Sequence, residues 1–259
     1  MIRRFPIALA LVAMLAITAC NSAPTGPTLT DPTAIVTAAL KSTEAAKSVH
    51  LDLAVDGTAT VAIPLGGGTG TPVDLSGTTA AADIDLVKPA ARATFSLQAG
   101  LTLKGEAIVV DGKTYLKTPL TGPLYQVSAA GALPIDPSNT KGLIAALGDL
   151  LLKPGVVLAK GDDVACGPKR CYTVTTQLTA EQLGTATGGA TAGLPVDLAG
   201  ATLKLTILVE AALPYHLSGV TAVLSMPSGS ALTAVVTASK WDEPVTVTAP
   251  SADQVKPAS

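Results

Sequence analysis

From residue 48 onward the chain is cut into short apolar segments of alternating pattern, joined by turns too short for one strand to cross over and lie parallel to the last. Leu51, Leu53 and Val55 alternate with Asp52 and Asp56, and Ile84 and Leu86 alternate with Asp83 and Asp85. That period of two is the mark of strands with one buried face. Further strand candidates lie at 58–63, 91–98, 101–110, 113–118, 156–164, 171–178, 203–210, 216–226 and 231–241. Val87-Lys88-Pro89, Gln98-Ala99-Gly100, Asp111-Gly112 and Ser228-Gly229 supply turns between neighbours. Since a parallel pair needs a crossover of a dozen or more residues, the expected sheet is an antiparallel meander.

Helical periodicity interrupts this pattern. Asp31 can cap and Pro32 suits a first helical position, after which Ile35, Val36, Ala39, Leu40 and Thr43 fall on one face of about four turns. At 139–152, Leu143, Ile144, Leu147, Leu150 and Leu151 form a broad stripe. Thr179-Ala180-Glu181-Gln182 has the capping-box form and opens a shorter helix that leads to Leu183 before Gly184 stops it. Residues are 48% apolar but only 3% aromatic, so the interior is built from small and branched side chains that are hard to pack without gaps.

The first twenty residues read as an export signal. Arg3 and Arg4 precede thirteen small or apolar residues, 7–19, which end in Ile17-Thr18-Ala19-Cys20. Thirteen residues are too few to span ~30 Å of hydrocarbon, and the small residues before a cysteine read as a bacterial lipobox. The expectation is a signal peptide at 1–19, a lipidated Cys20 and a Pro-, Ser- and Thr-rich tether at 20–30, followed by a single domain at 31–259. One acyl chain anchors only marginally, whereas a diacylglyceryl cysteine carries two or three.

Cys166 and Cys171 flank Gly167-Pro168-Lys169-Arg170, and outside the cytosol a disulfide across that hairpin is the natural reading. With only His50 and His216 beside them, no metal site is expected. No HExxH, GxSxG or phosphate-binding loop occurs, so neither catalysis nor a cofactor is expected. Without Arg3 and Arg4, Lys plus Arg falls from 17 to 15 against 19 acidic residues, a formal charge of −4 that argues against nucleic acid.

The motifs point further in combination. Ser48-Val49-His50 with Leu53, Val55 and Gly57 resembles the opening strand of the LppX/LprAFG family of bacterial lipoproteins, and Ser239-Lys240-Trp241 with Pro244 to Thr248 and Pro250 resembles its closing strand. Val109 to Tyr115 is similar to the family's middle hairpin, and Asp136-Pro137 leading into Gly142-Leu143 to the start of its internal helix. The resemblance implies an α+β, LolA-like half-barrel: a strongly bent antiparallel sheet wrapped around a few helices, with a cavity for acyl chains of lipids or glycolipids bound for the outer envelope. Its partners would be that cargo, the membrane through Cys20 and a membrane transporter, with the protein itself a monomer. Candidate cavity residues are Ile35, Val36, Leu40, Leu143, Ile144, Leu147 and Leu151 from the helices. Opposite them stand Leu53, Phe95, Leu97, Leu205, Ile207, Val220 and Leu224 from the sheet. The alternative is a tethered envelope scaffold whose half-barrel is filled by its own side chains.

Overall fold

The computed structural model describes residues 26–61, 71–129, 140–186, 200–227 and 229–256. Cys20, the signal and the lipobox lie outside them. Helix α1 is Pro32–Ala45, and Asp31 caps it by accepting a 2.9 Å hydrogen bond from the Ala34 amide. Strands follow as β1 Ser48–Val61, β2 Thr71–Asp74, β3 Thr78–Asp85, β4 Ala90–Gln98, β5 Thr102–Val110, β6 Lys113–Lys117 and β7 Gln126–Ala129. Helix α2, Thr140–Leu151, leads to β8 Ala159–Lys160, β9 Val164–Cys166 and β10 Lys169–Thr179. Helix α3, Ala180–Ala186, runs two residues past Gly184, where the sequence pattern has it stop, and precedes β11 Thr202–Glu210, β12 Leu217–Ser225 and β13 Ala231–Ser239.

These strands form one large, curved antiparallel sheet in the order β7-β6-β5-β4-β3-β1-β13-β12-β11-β10-β8, with β2 on β1 and β9 on β10. It is two meanders joined where the first strand pairs with the last, Leu53 opposite Val236 and His50 opposite Ser239. Two expectations change in detail. The segments read as separate strands at 51–55 and 58–63 are one strand, continuous through Gly57, whose φ of +114° and contact with the Ala231 carbonyl admit only glycine. The strand expected at 156–164 is instead the two short pieces β8 and β9, both paired with β10.

Among the described residues, helices cover only one end of the inner face. Ile35, Val36 and Ala39 of α1, Leu151 of α2 and Leu183 of α3 share an apolar cluster with Tyr172, Val174, Leu178, Leu205, Ile207 and Val209. The outer face of β4–β6 is covered differently, by the chain after β13: Val247 and Val255 pack on Ala90, Ile108, Val110, Tyr115 and Tyr125. Burial from both sides explains why Ala107, Ile108, Val109 and Val110 are all buried, in contrast to the alternation elsewhere.

The Cys166–Cys171 disulfide is formed, with Cα atoms 5.8 Å apart, as the sequence led us to expect. It closes a very short loop, so thiol reduction should cost about 2 kcal/mol, roughly 4–8 °C in Tm for a domain of this size. Thermal melts with and without reductant check this, and a larger loss would mean that the bridge also holds β9 on the sheet.

One rim of the sheet is laced laterally. The Leu86 amide donates to the Lys47 carbonyl, the Lys47 amide to the Asp242 carboxylate, the Glu210 amide to the His216 carbonyl and the Ala211 amide to the Arg170 carbonyl. Between them, His216 stacks on Trp241 at 4.8 Å, and the indole N–H donates to the Leu217 carbonyl at 3.0 Å. Burial pushes the His216 imidazole below the ordinary histidine range, with Lys169 adding to the shift and Glu210 and Asp242 opposing it. A histidine whose folded pKa is depressed favours the native state above the unfolded value near 6.5, and that stability is lost as pH falls toward the folded pKa. Urea midpoints should therefore drop on acidification below about pH 6.5, and His216→Phe should flatten that slope.

Candidate functional site

Where α1 lies on β11 and β12 with α2 packed beside it, side chains of both helices enclose an apolar seam. Val36, Ala39, Leu40 and Thr43 face Ile207 and Leu217 from one helix, and Ile144, Leu147 and Leu151 do so from the other. The helices approach closely because α2 carries Gly148 at their contact; a Cβ there would lie 2.8 Å from a Leu40 methyl. Thr43, the one hydroxyl among the described residues of the lining, donates to the Ala39 carbonyl of its own helix at 2.8 Å. The walls therefore offer a ligand dispersion contacts and no unspent hydroxyl. The enclosed space is about 20 Å³, room for about one water and far short of the ~300–1,000 Å³ of a typical ligand pocket.

Several of the residues singled out in the sequence meet here: Val36, Leu40, Ile144, Leu147, Leu151 and Ile207. Ile35, Leu205 and Val220 belong to the surrounding apolar cluster without bordering the space. Leu53, Phe95, Leu97 and Leu224 share the inner face by register, but they lie outside that cluster. Leu97, at 38% exposure, stands largely in the open. The Leu143 side chain is outside the described residues. Sequence reasoning missed Leu217, and the cause is local. A bulge shifts the β11–β12 register between Leu208 and Val209, so Leu217 joins the face of Val220 and Ala222 against simple alternation.

A larger concavity runs across β1, β3, β4 and β5, an open trough of about 550 Å³ where Leu53 and Phe95, two of the residues singled out in the sequence, border the space beside Asp52, Thr79, Thr94 and Lys104. Its lining mixes apolar side chains with charges and hydroxyls. Beside it His50 bonds Asp83 at 2.7 Å and approaches Asp52 at 3.3 Å, so it is held by partners, as a structural histidine would be. Among the described residues no cluster of His, Cys, Asp or Glu could hold a metal ion.

A curved antiparallel sheet, open at its edges and bearing helices over an apolar seam on one face, defines a half-barrel. No helix among the described residues is long and apolar enough to cross a membrane. The family model described as LppX_LprAFG lipoprotein matches residues 31–247, and the chain belongs to that family. Two solved structures share the fold. LprF from Mycobacterium bovis is 17% identical with a TM-score of 0.58, over 87% of this chain and 99% of that one. The Mycobacterium tuberculosis lipoprotein LppX is 19% identical with a TM-score of 0.50, over 85% of this chain and 100% of that one. No curated protein matches the sequence at a significant level.

Proposed function

We propose that this lipoprotein is held on the outer face of the membrane by an acylated Cys20, binds acyl chains of lipids or glycolipids between its helix layer and its sheet, and carries them toward the outer envelope. The observation that carries this reading is the seam itself: apolar on every side, with its only hydroxyl already satisfied. Fifteen or so methylenes withdrawn from water offer on the order of 12 kcal/mol as an upper bound. Against it stands the cost of parting α2 from its aliphatic neighbours, which an entering acyl chain would replace with contacts of the same kind. Opening and binding are then one event, and the measured affinity is reduced by the cost of opening.

A second reading has one observation in its favour. At about 20 Å³ the seam is nearly filled by the protein's own side chains, as a tethered envelope scaffold would have it. Mass spectrometry of organic extracts from anchor-free protein separates the two. Stoichiometric acyl-containing ligand supports carriage; repeatedly empty preparations that also fail to bind a fluorescent fatty acid support the scaffold. The anchor is tested on its own. Cys20→Ala should release the protein from membranes while leaving its melting temperature unchanged, and a variant that stays membrane-bound would refute the lipobox.

A further inference from the structure

We propose that the laced rim of the sheet is a bilayer-contacting surface, seated on the membrane through Val87, Val164 and Leu213. The inference rests on Cys20 being the anchor point and adds an orientation to it.

The chain leading from Cys20 is fastened to this rim well before α1 begins. The Tyr215 hydroxyl donates to the Pro27 carbonyl at 2.9 Å, and the Leu29 amide donates to the Tyr172 hydroxyl at 3.1 Å. Leu29 packs into the helix-side cluster, and a Cβ on Gly26 would fall 2.0 Å from the Tyr215 hydroxyl, so the chain passes flush against that ring. Only the stretch from Cys20 to Gly26 remains to span the gap to the anchor. At no more than ~3.6 Å per residue it reaches ~22 Å. β11, which runs from the far rim to this one, has 9 residues, or ~30 Å. A fully extended tether therefore cannot run back to the far rim, and the near rim is the end brought to the bilayer.

That rim carries the side chains such a seat needs. Val87 in the β3–β4 turn is 65% exposed, Leu213 in the β11–β12 turn 43% and Val164 on the disulfide-closed hairpin 39%. The hydrogen bonds along the rim fasten the bases of the β3–β4 and β11–β12 turns, and β9 is held beside them by its pairing with β10. Leu101 and Leu120 are more exposed still, but they sit at the opposite ends of β4 to β6, beyond the tether's reach. Charge does not select the surface. Lys169 is paired with Glu210 at 2.7 Å, Arg170 lies 3.7 Å from Asp163, and Lys47, Lys88 and Lys240 share the rim with Asp85, Asp242 and Glu243. The occupant is thus a zwitterionic lipid surface, met by shallow aliphatic insertion. Leu217 of the seam lies two residues from Tyr215, so the seat would also place the edge of the seam against the layer that supplies acyl chains.

The test imposes the anchor chemically. With the disulfide intact, a chain beginning at Cys20 has one free thiol, which can be coupled to a maleimide-headgroup lipid in phosphatidylcholine vesicles. Compared with the same chain coupled to a water-soluble maleimide, amide exchange at 86–89, 163–168 and 211–216 should slow about threefold or more, with no further change on anionic vesicles. Val87→Asp with Leu213→Asp, both at exposed positions, should abolish the slowing. Protection at 99–101 and 119–122 instead, protection nowhere, or protection that survives the double substitution would overturn the proposal. Labelling of expressing cells with a radioactive fatty acid reports separately on Cys20. An unlabelled chain refutes the natural anchor, while the vesicle readout answers for the rim alone.

Discussion

Ile144→Trp should abolish acyl binding while the protein stays folded. Ile144 borders the seam from α2 and is only half-buried, so an indole there can swing into the space that opens beneath the helix without entering the tightly packed cluster. Displacing even two methylenes of a bound chain forfeits ~1.6 kcal/mol, more than tenfold in affinity, and an indole blocks more than two. Overpacking typically costs ~1–3 kcal/mol, which lowers Tm without unfolding a domain of this size. Titration with a fluorescent fatty acid is the measurement. A variant that binds as tightly as the parent would place the ligand somewhere other than the seam.

The largest stability effect should come from Leu178→Ala on β10. Leu178 is 0% exposed, pairs with Leu203 and packs in the helix-side cluster together with Leu183 of α3. Removing three carbons from a site enclosed on all sides leaves a cavity as well as a lost transfer term, together about 3 kcal/mol, within the ~2–5 kcal/mol seen for such substitutions. Leu97→Ala is the control: on the same face but 38% exposed, it should cost under ~1 kcal/mol, because much of its surface is already in water. Urea denaturation of both variants checks the pair. Equal losses would mean that the inner face is buried as evenly around Leu97 as around Leu178.

That contrast also shows how far local pattern carried the reading. Alternation is a property of the strand itself, so Leu53, Phe95, Leu205, Ile207, Val220 and Leu224 share one face, as the pairings Leu53–Ala80–Phe95 and Ile207–Val220 show. Helix periodicity did the same for Val36, Leu40, Ile144, Leu147 and Leu151. Which part of the face the helices would cover was not written in any local period. It depends on the short step from α1 to β1 and on where α2 enters after β7, and both set α1 and α2 over β10–β12. Leu53, Phe95 and Leu97 therefore share the face but lie outside the helix-covered cluster. The chain after β13 was equally hard to foresee. Val247 and Val255 look like ordinary isolated valines, yet they account for the second buried face of Ile108 and Val110.

The pairing of β1 with β13 has a consequence for how the molecule comes into being. His50 and Ser239 are neighbours in the sheet but lie near opposite ends of the domain. The two meanders cannot be zipped together until almost the whole polypeptide is available, and closing so long a loop slows the search for the native arrangement. Until then both joining strands are bare edges, each a template for sticking to another copy. A chain clipped before residue 231 would keep one of those edges for good, so loss of the last strand should convert a dispersed protein into an aggregating one.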